Sequence, residues 1–205
     1  MTVRAYLGLG ANLGDPSATL TWAVDALAAM PGVRIRAVSP LYRTAPWGVT
    51  DQPDFRNAVV AADVALAPLD LLVALKTLER EAGRRAGRRW GPRELDIDLL
   101  VYGRQRIREE RPAEARSIDA ADDPAKAARL LEVPHRDLGE RLFVLAPLAD
   151  LAPRLVPPGW HETVATRRRA VAAVEATDAV RLAGRWDARR RRWRRDGGGA
   201  RVGDA

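Results

Sequence analysis

The segment Arg89-Trp90-Gly91-Pro92-Arg93-Glu94-Leu95-Asp96-Ile97-Asp98-Leu99-Leu100 sets two carboxylates two residues apart inside an otherwise apolar run. If the run is a strand, side chains repeat with period two, so Asp96 and Asp98 share a face with Cα atoms about 7 Å apart. Carboxylates at that separation can converge on one or two cations. Two metals about 3.5–4 Å apart clamp an in-line displacement at phosphorus. The plain alternative is an amphipathic strand with both acids in solvent. The apolar company of Leu95, Ile97, Leu99 and Leu100 makes neighbouring acids costly without a cation, which favours the metal reading. Just upstream stand Arg84, Arg85, Arg88, Arg89 and Arg93. Guanidinium groups grip phosphate oxygens in bidentate fashion. Alone they would mark a solvated basic loop or a nucleic-acid patch; beside paired aspartates they fit phosphoryl transfer, with Arg and Mg²⁺ sharing the phosphate charge.

Three further segments are candidates. Gly8-Leu9-Gly10-Ala11-Asn12-Leu13-Gly14 invites a phosphate-loop reading, but its third glycine is one position late for the dinucleotide fingerprint and no Gly-Lys-Ser/Thr follows. A structural turn is expected there. Thr44-Ala45-Pro46-Trp47-Gly48 through Phe55-Arg56-Asn57 offers aromatics beside an amide. An Asn amide suits the edge of a heterocycle and aromatics its faces, although Trp47 and Phe55 could equally be core. His135, in Val133-Pro134-His135, is ambiguous by itself.

The elements that must position these residues can be read from periodicity. Val3 to Leu9 reads as a first strand, and Asp15-Pro16 as a helix start ahead of Leu20, Ala23, Val24, Leu27 and Ala28. Residues 33–43 alternate as one strand and Phe55 to Leu66 as its partner. Pro68 to Ala82 predicts a helix with Leu71, Leu72, Leu75 and Leu78 on one face, and Leu95 to Tyr102 predicts the metal strand. A short helix is expected near Leu142 to Leu151. The order β-α-β-β-α-β predicts an α+β sandwich of ferredoxin-like pattern, an antiparallel sheet with helices packed on one face.

Composition narrows the chemistry further. The chain has 205 residues with 47% apolar and 30% charged side chains, a globular balance. It has no cysteine and only His135 and His161, which excludes disulfides, thiolate zinc sites and a thiol nucleophile. No apolar run is long enough for a membrane span, and Asn12 and Asp15 fall where a signal peptide would be apolar, so a cytoplasmic protein is expected. The net charge of +7 is concentrated: residues 185–195 carry seven Arg and one Asp, leaving a nearly balanced body. We therefore expect one domain over 1–187, interrupted by a charged insertion near 104–129, and a basic disordered tail over 188–205. The rival reading is a nucleic-acid-binding module, in which Trp186 and Trp193 stack bases between the arginines.

Together, the segments Leu7 to Asp15, Tyr42 to Asn57, Glu79 to Leu100 and Val133 to Pro147 resemble the 6-hydroxymethyl-7,8-dihydropterin pyrophosphokinase family of folate biosynthesis. The resemblance implies transfer of the β,γ-diphosphoryl group of ATP to the pterin's hydroxymethyl oxygen, leaving AMP. It implies that Asp96 and Asp98 hold two Mg²⁺ ions. It implies a nucleotide and phosphate set of Glu79, Arg84, Arg89, Trp90, Arg93, Ile97, Leu99, His135 and Arg141, with Arg84 and Arg93 also catalytic. Thr44, Ala45, Trp47, Phe55, Asn57, Asp96 and Phe143 correspond to the pterin pocket, Phe55 and Phe143 sandwiching the ring. ATP and the pterin are the expected partners of a monomer. This sequence departs from the family in a shortened Arg loop, which leaves Arg85 and Arg88 both open for a phosphate role, in Arg136 after His135, and in the 104–129 insertion. A paralogue that binds pterin or nucleotide without turnover is the remaining alternative; intact Asp96, Asp98, Arg93 and His135 speak against it.

Overall fold

The structure is a computed structural model, and it describes residues 1–46, 51–83, 91–111, 129–175 and 179–194. Strand β1 (Val3–Ala11) is followed by α1 (Pro16–Ala29), β2 (Val33–Val38), β3 (Leu41–Thr44), β4 (Phe55–Val64), α2 (Pro68–Glu81) and β5 (Asp96–Tyr102). Next come β6 (Ile107–Glu110), β7 (Arg129–Val133), α3 (Leu142–Leu151), α4 (Val164–Ala172), β8 (Val180–Asp187) and β9 (Arg192–Arg194). The main sheet is antiparallel in the order β5-β1-β4-β3-β8-β9, with β2 also paired to β4. With β2 and β3 as the two halves of one interrupted strand, β1 to β5 with α1 and α2 make the β-α-β-β-α-β unit of a ferredoxin-like α+β fold.

Local chemistry accounts for the element ends. Asp15 caps α1 by accepting from the Ala18 amide at 3.0 Å, and Pro16 occupies the first turn, where its missing N–H costs nothing. The expected single strand over 33–43 is instead two. Pro40 cannot donate to the ladder, so the strand breaks at Ser39-Pro40. Buried Ser39 bridges the break: its amide donates to the Val59 carbonyl and its Oγ accepts from the Val59 amide, both at 2.9 Å.

Helices lie on both faces of the sheet, where the sequence pattern suggested one. Ala5, Leu7, Leu9 and Ala11 of β1 point with Val60, Ala62 and Val64 of β4 toward α1 and α2. Tyr42, Val59, Leu100 and Val101 point the other way, toward Leu145 and Leu148 of α3 and Val164 of α4. Helix α3 is apolar nearly all round because it is wedged between the sheet and α4.

The charged insertion and the tail expected to be disordered both contribute strands. Ile107–Glu110 of the insertion pairs with β7 as a hairpin. Arg192–Arg194 pairs with β8, so the ordered chain continues past residue 187. Trp186 and Trp193 form an edge-to-face pair with centroids 4.6 Å apart, and the Trp193 indole donates to the Ser39 carbonyl at 2.9 Å. Both rings are half-buried against the core beneath α1, so they are packing residues rather than exposed stacking platforms.

Candidate functional site

The site is built on one end of one sheet face. On β5, Ile97 (0% exposed) and Leu99 (3% exposed) point into the α1/α2 core, so alternation turns Asp96 and Asp98 to the opposite face. A bulge at Leu100, opposite the Tyr6/Leu7 step of β1, breaks the alternation beyond the pair. Across the ladder Asp96 sits opposite Gly10 and Asp98 opposite Gly8. These two glycines belong to the strand itself, not to the turn expected over Gly8–Gly14. Their role is close approach. A Cβ on Gly10 would come within 3.1 Å of Asn57 Oδ1, and one on Gly8 within 3.3 Å of Leu100.

On the same face and at the same end, β4 begins with Phe55 and Asn57 and β3 ends with Thr44, which pairs with Phe55. Asn57 is buried and its Nδ2 donates to Thr44 Oγ1 at 2.7 Å, which fixes the amide's orientation. Phe55 is half-buried and Ala45 exposed. Phe143, half-buried, starts α3 and carries the Arg141 guanidinium 5.7 Å above its ring centre, while Arg141 pairs with Asp137 at 2.6 Å.

His135 reaches the carboxylates through its backbone, whose amide donates to the Leu100 carbonyl at 2.9 Å. Its Nε2 then lies 4.0 Å from Asp98 Oδ2. Its Nδ1 accepts from the Asp137 amide at 3.3 Å, so in the neutral ring the proton sits on Nε2. That nitrogen is the ring's donor, close to the Asp98 carboxylate though beyond hydrogen-bond distance of it. His135 and Arg136 also border a cavity of about 620 Å³, lined further by Arg106, Arg108, Glu132 and Trp160.

Glu79 and Lys76 of α2 brace β5 from its open edge. Glu79 is 2% exposed; its Oε1 accepts from the Ile97 amide at 2.7 Å and from Lys76 Nζ at 2.6 Å. Lys76 also donates to the Ile97 carbonyl at 3.3 Å. Burial works against the Lys76 charge, but the carboxylates of Asp96, Asp98 and Glu79 outweigh it and hold its pKa above the ordinary lysine value. Lys76 thus registers the negative potential of the pair. The side chains of Ile97 and Leu99 remain in the core, and Ile97's outward backbone groups already serve Glu79 and Lys76.

Asp96 and Asp98 offer hard oxygen donors, and among the described residues no group of three His, Cys, Asp or Glu side chains forms a complete cage. That donor set suits Mg²⁺, which keeps waters and takes substrate phosphates alongside one or two carboxylates. Trp47, Arg84, Arg85, Arg88, Arg89 and Trp90 lie outside the described residues. Arg93 is described, half-buried, three residues before Asp96. Two contributors were missed in the sequence: Lys76, one of only two lysines, and Asn12, a polar residue at the end of an apolar strand.

The fold and this face define a ferredoxin-like α+β protein whose paired carboxylates meet an aromatic-and-amide recess. A family model described as 7,8-dihydro-6-hydroxymethylpterin-pyrophosphokinase (HPPK) matches residues 6–153. The chain is 45% identical over 179 residues to a 2-amino-4-hydroxy-6-hydroxymethyldihydropteridine pyrophosphokinase of Methylorubrum extorquens, covering 87% of this chain and 98% of that protein. It is 46% identical over 162 residues to the Pseudomonas aeruginosa protein of the same name, covering 78% and 88%. Among solved structures, Plasmodium falciparum HPPK-DHPS with pteroate is similar, with a TM-score of 0.70 at 14% identity, over 95% of this chain and 48% of that longer one. That last likeness is one of fold. The chain belongs to the 7,8-dihydro-6-hydroxymethylpterin pyrophosphokinase family.

Proposed function

We propose that the carboxylate face is where this enzyme transfers the β,γ-diphosphoryl group of ATP to the hydroxymethyl oxygen of 6-hydroxymethyl-7,8-dihydropterin, a step of folate biosynthesis. The observation that carries the reading is the convergence of Asp96 and Asp98 with Thr44, Phe55 and Asn57 at one end of one sheet face. The pterin's ring edge meets the Asn57 amide, whose orientation Thr44 holds. Phe55 and Phe143 supply its faces.

The attacking oxygen forms a bond to the β-phosphorus, the bond from that phosphorus to the α,β-bridging oxygen breaks, and AMP leaves with the bridging oxygen. The hydroxyl proton is released to solvent, so the products are the pterin diphosphate, AMP and a proton. A primary alcohol needs no strong side-chain base here, because phosphoryl transfer depends mainly on alignment and charge stabilisation. Asp96 and Asp98 would hold Mg²⁺, which supplies charge neutralisation on the phosphate oxygens when bound. His135 presents its Nε2 proton to the same oxygens, and Arg93 approaches from the start of the metal strand.

The test is product analysis with ATP, Mg²⁺ and 6-hydroxymethyl-7,8-dihydropterin. AMP that appears only when the pterin is present supports the reading. ADP would mean single-phosphoryl transfer and a different acceptor.

A further inference from the structure

We propose that Asn12 is a positioning residue that ties the pterin-side and phosphate-side segments to each other and to the floor strand of the site; the proposal rests on the transfer reaction above. Asn12 directly follows β1 and is 2% exposed. Its Nδ2 donates to Gln52 Oε1 at 3.0 Å and to the Pro53 carbonyl at 2.9 Å. Its Oδ1 accepts from the Arg93 amide at 2.7 Å, and its own amide donates back to the Arg93 carbonyl at 2.9 Å.

One buried side chain therefore grips two segments far apart in sequence. Gln52 and Pro53 lead into Phe55 and Asn57; Arg93 leads into Asp96 and Asp98. Both are referenced to β1, the strand whose Gly8 and Gly10 lie between the two sets of functional residues. A primary amide is needed because it donates at one end and accepts at the other. Aspartate would keep the acceptor for Arg93 and lose the donors for Gln52 and Pro53. Alanine would lose both, so the Arg93 amide, the Pro53 carbonyl and the Gln52 side chain would each lose its bond to this side chain. Two substrates must meet in line on this face, and displacement of about 1 Å in such a geometry costs about a hundredfold in rate.

The experiment compares Asn12→Ala, Asn12→Asp and Gln52→Ala with the unaltered enzyme in kcat, in both KM values, in melting temperature and in hydrogen exchange at the Arg93 amide. We expect Asn12→Asp and Gln52→Ala to raise the pterin KM about tenfold, with the ATP KM nearly unchanged and the Arg93 amide still protected. Asn12→Ala should expose that amide and lower kcat about a hundredfold at temperatures well below its melting point. Unaltered kinetics in a folded Asn12→Ala enzyme would overturn the proposal, as would losses that merely follow melting temperature. Should Asn12→Ala fail to fold, an unchanged pterin KM in Gln52→Ala overturns it alone. If the unaltered enzyme releases no AMP, the reaction assignment falls; exchange at Arg93 and direct pterin binding still compare the variants.

Discussion

The two faces of β5 differ in what they ask of neighbouring residues. Ile97 and Leu99 enter a core of aliphatic side chains, where any residue of similar volume and shape would serve. Asp96 and Asp98, one residue away along the same backbone, stand over glycines and beside His135 and Lys76, where charge and hydrogen-bond direction decide everything. The comparison teaches how a small sheet gives precision to a charged site: the apolar face fixes the backbone, and alternation delivers the carboxylates from that rigid base. The open edge of β5 is the weak side, and Glu79 closes it.

The comparison can be broken most sharply on the charged face. Asp98→Ala should reduce AMP release by about a thousandfold or more, as loss of an electrostatic group at a reacting phosphate does, while its melting curve stays close to that of the parent. The apolar face should respond in the opposite way. Leu99→Ala should cost about 3 kcal/mol of stability in denaturant titration, with kcat of the folded fraction unchanged. Gly10→Ala should intrude on Asn57, whose Oδ1 stands 3.1 Å from the new carbon, and raise the pterin KM about tenfold with little loss of stability.

A smaller effect sharpens the contrast on the same face, where Tyr42 stands opposite Asn57 in the ladder. Burial, the hydrogen bond of 2.5 Å to Asp150, and that carboxylate's charge hold the Tyr42 pKa above the ordinary 10.0. A raised pKa means a stabilising contribution that is complete below the unfolded value and fades as pH climbs above it. Stability of the unaltered protein should therefore fall as pH rises through 10.0 and beyond. Tyr42→Phe should cost about 1.5 kcal/mol at neutral pH and flatten that alkaline slope, read by melting temperature against pH.

Strong local patterns made much of this legible. Helix α1 announced itself through Asp15-Pro16, α3 through the dense run Leu142 to Leu151, and β5 through acids alternating with aliphatics. What escaped was decided by distant partners. The strand break at Ser39-Pro40 depends on Val59 completing the ladder from β4. Hairpin β8–β9 is hidden in a basic sequence because Trp186 and Trp193 supply its packing while the arginines stay outside. Helices on both faces could have been suspected from α3, whose apolar surface is too broad for one contact. In the site, the Thr44–Asn57 bond and the Asp96/Asp98 face follow from pairing register and alternation. Asn12 and Lys76 did not stand out, since a lone Asn or Lys carries no period and gains meaning only from what surrounds it.

The measurement that tests the central claim most directly sets the unaltered enzyme beside Asp98→Ala, with ATP, Mg²⁺ and 6-hydroxymethyl-7,8-dihydropterin, and counts AMP against pterin diphosphate. The account predicts equal amounts of the two products from the unaltered enzyme and almost none from a folded Asp98→Ala protein. Undiminished AMP and pterin diphosphate from the variant would contradict it and move the chemistry away from this face of the sheet.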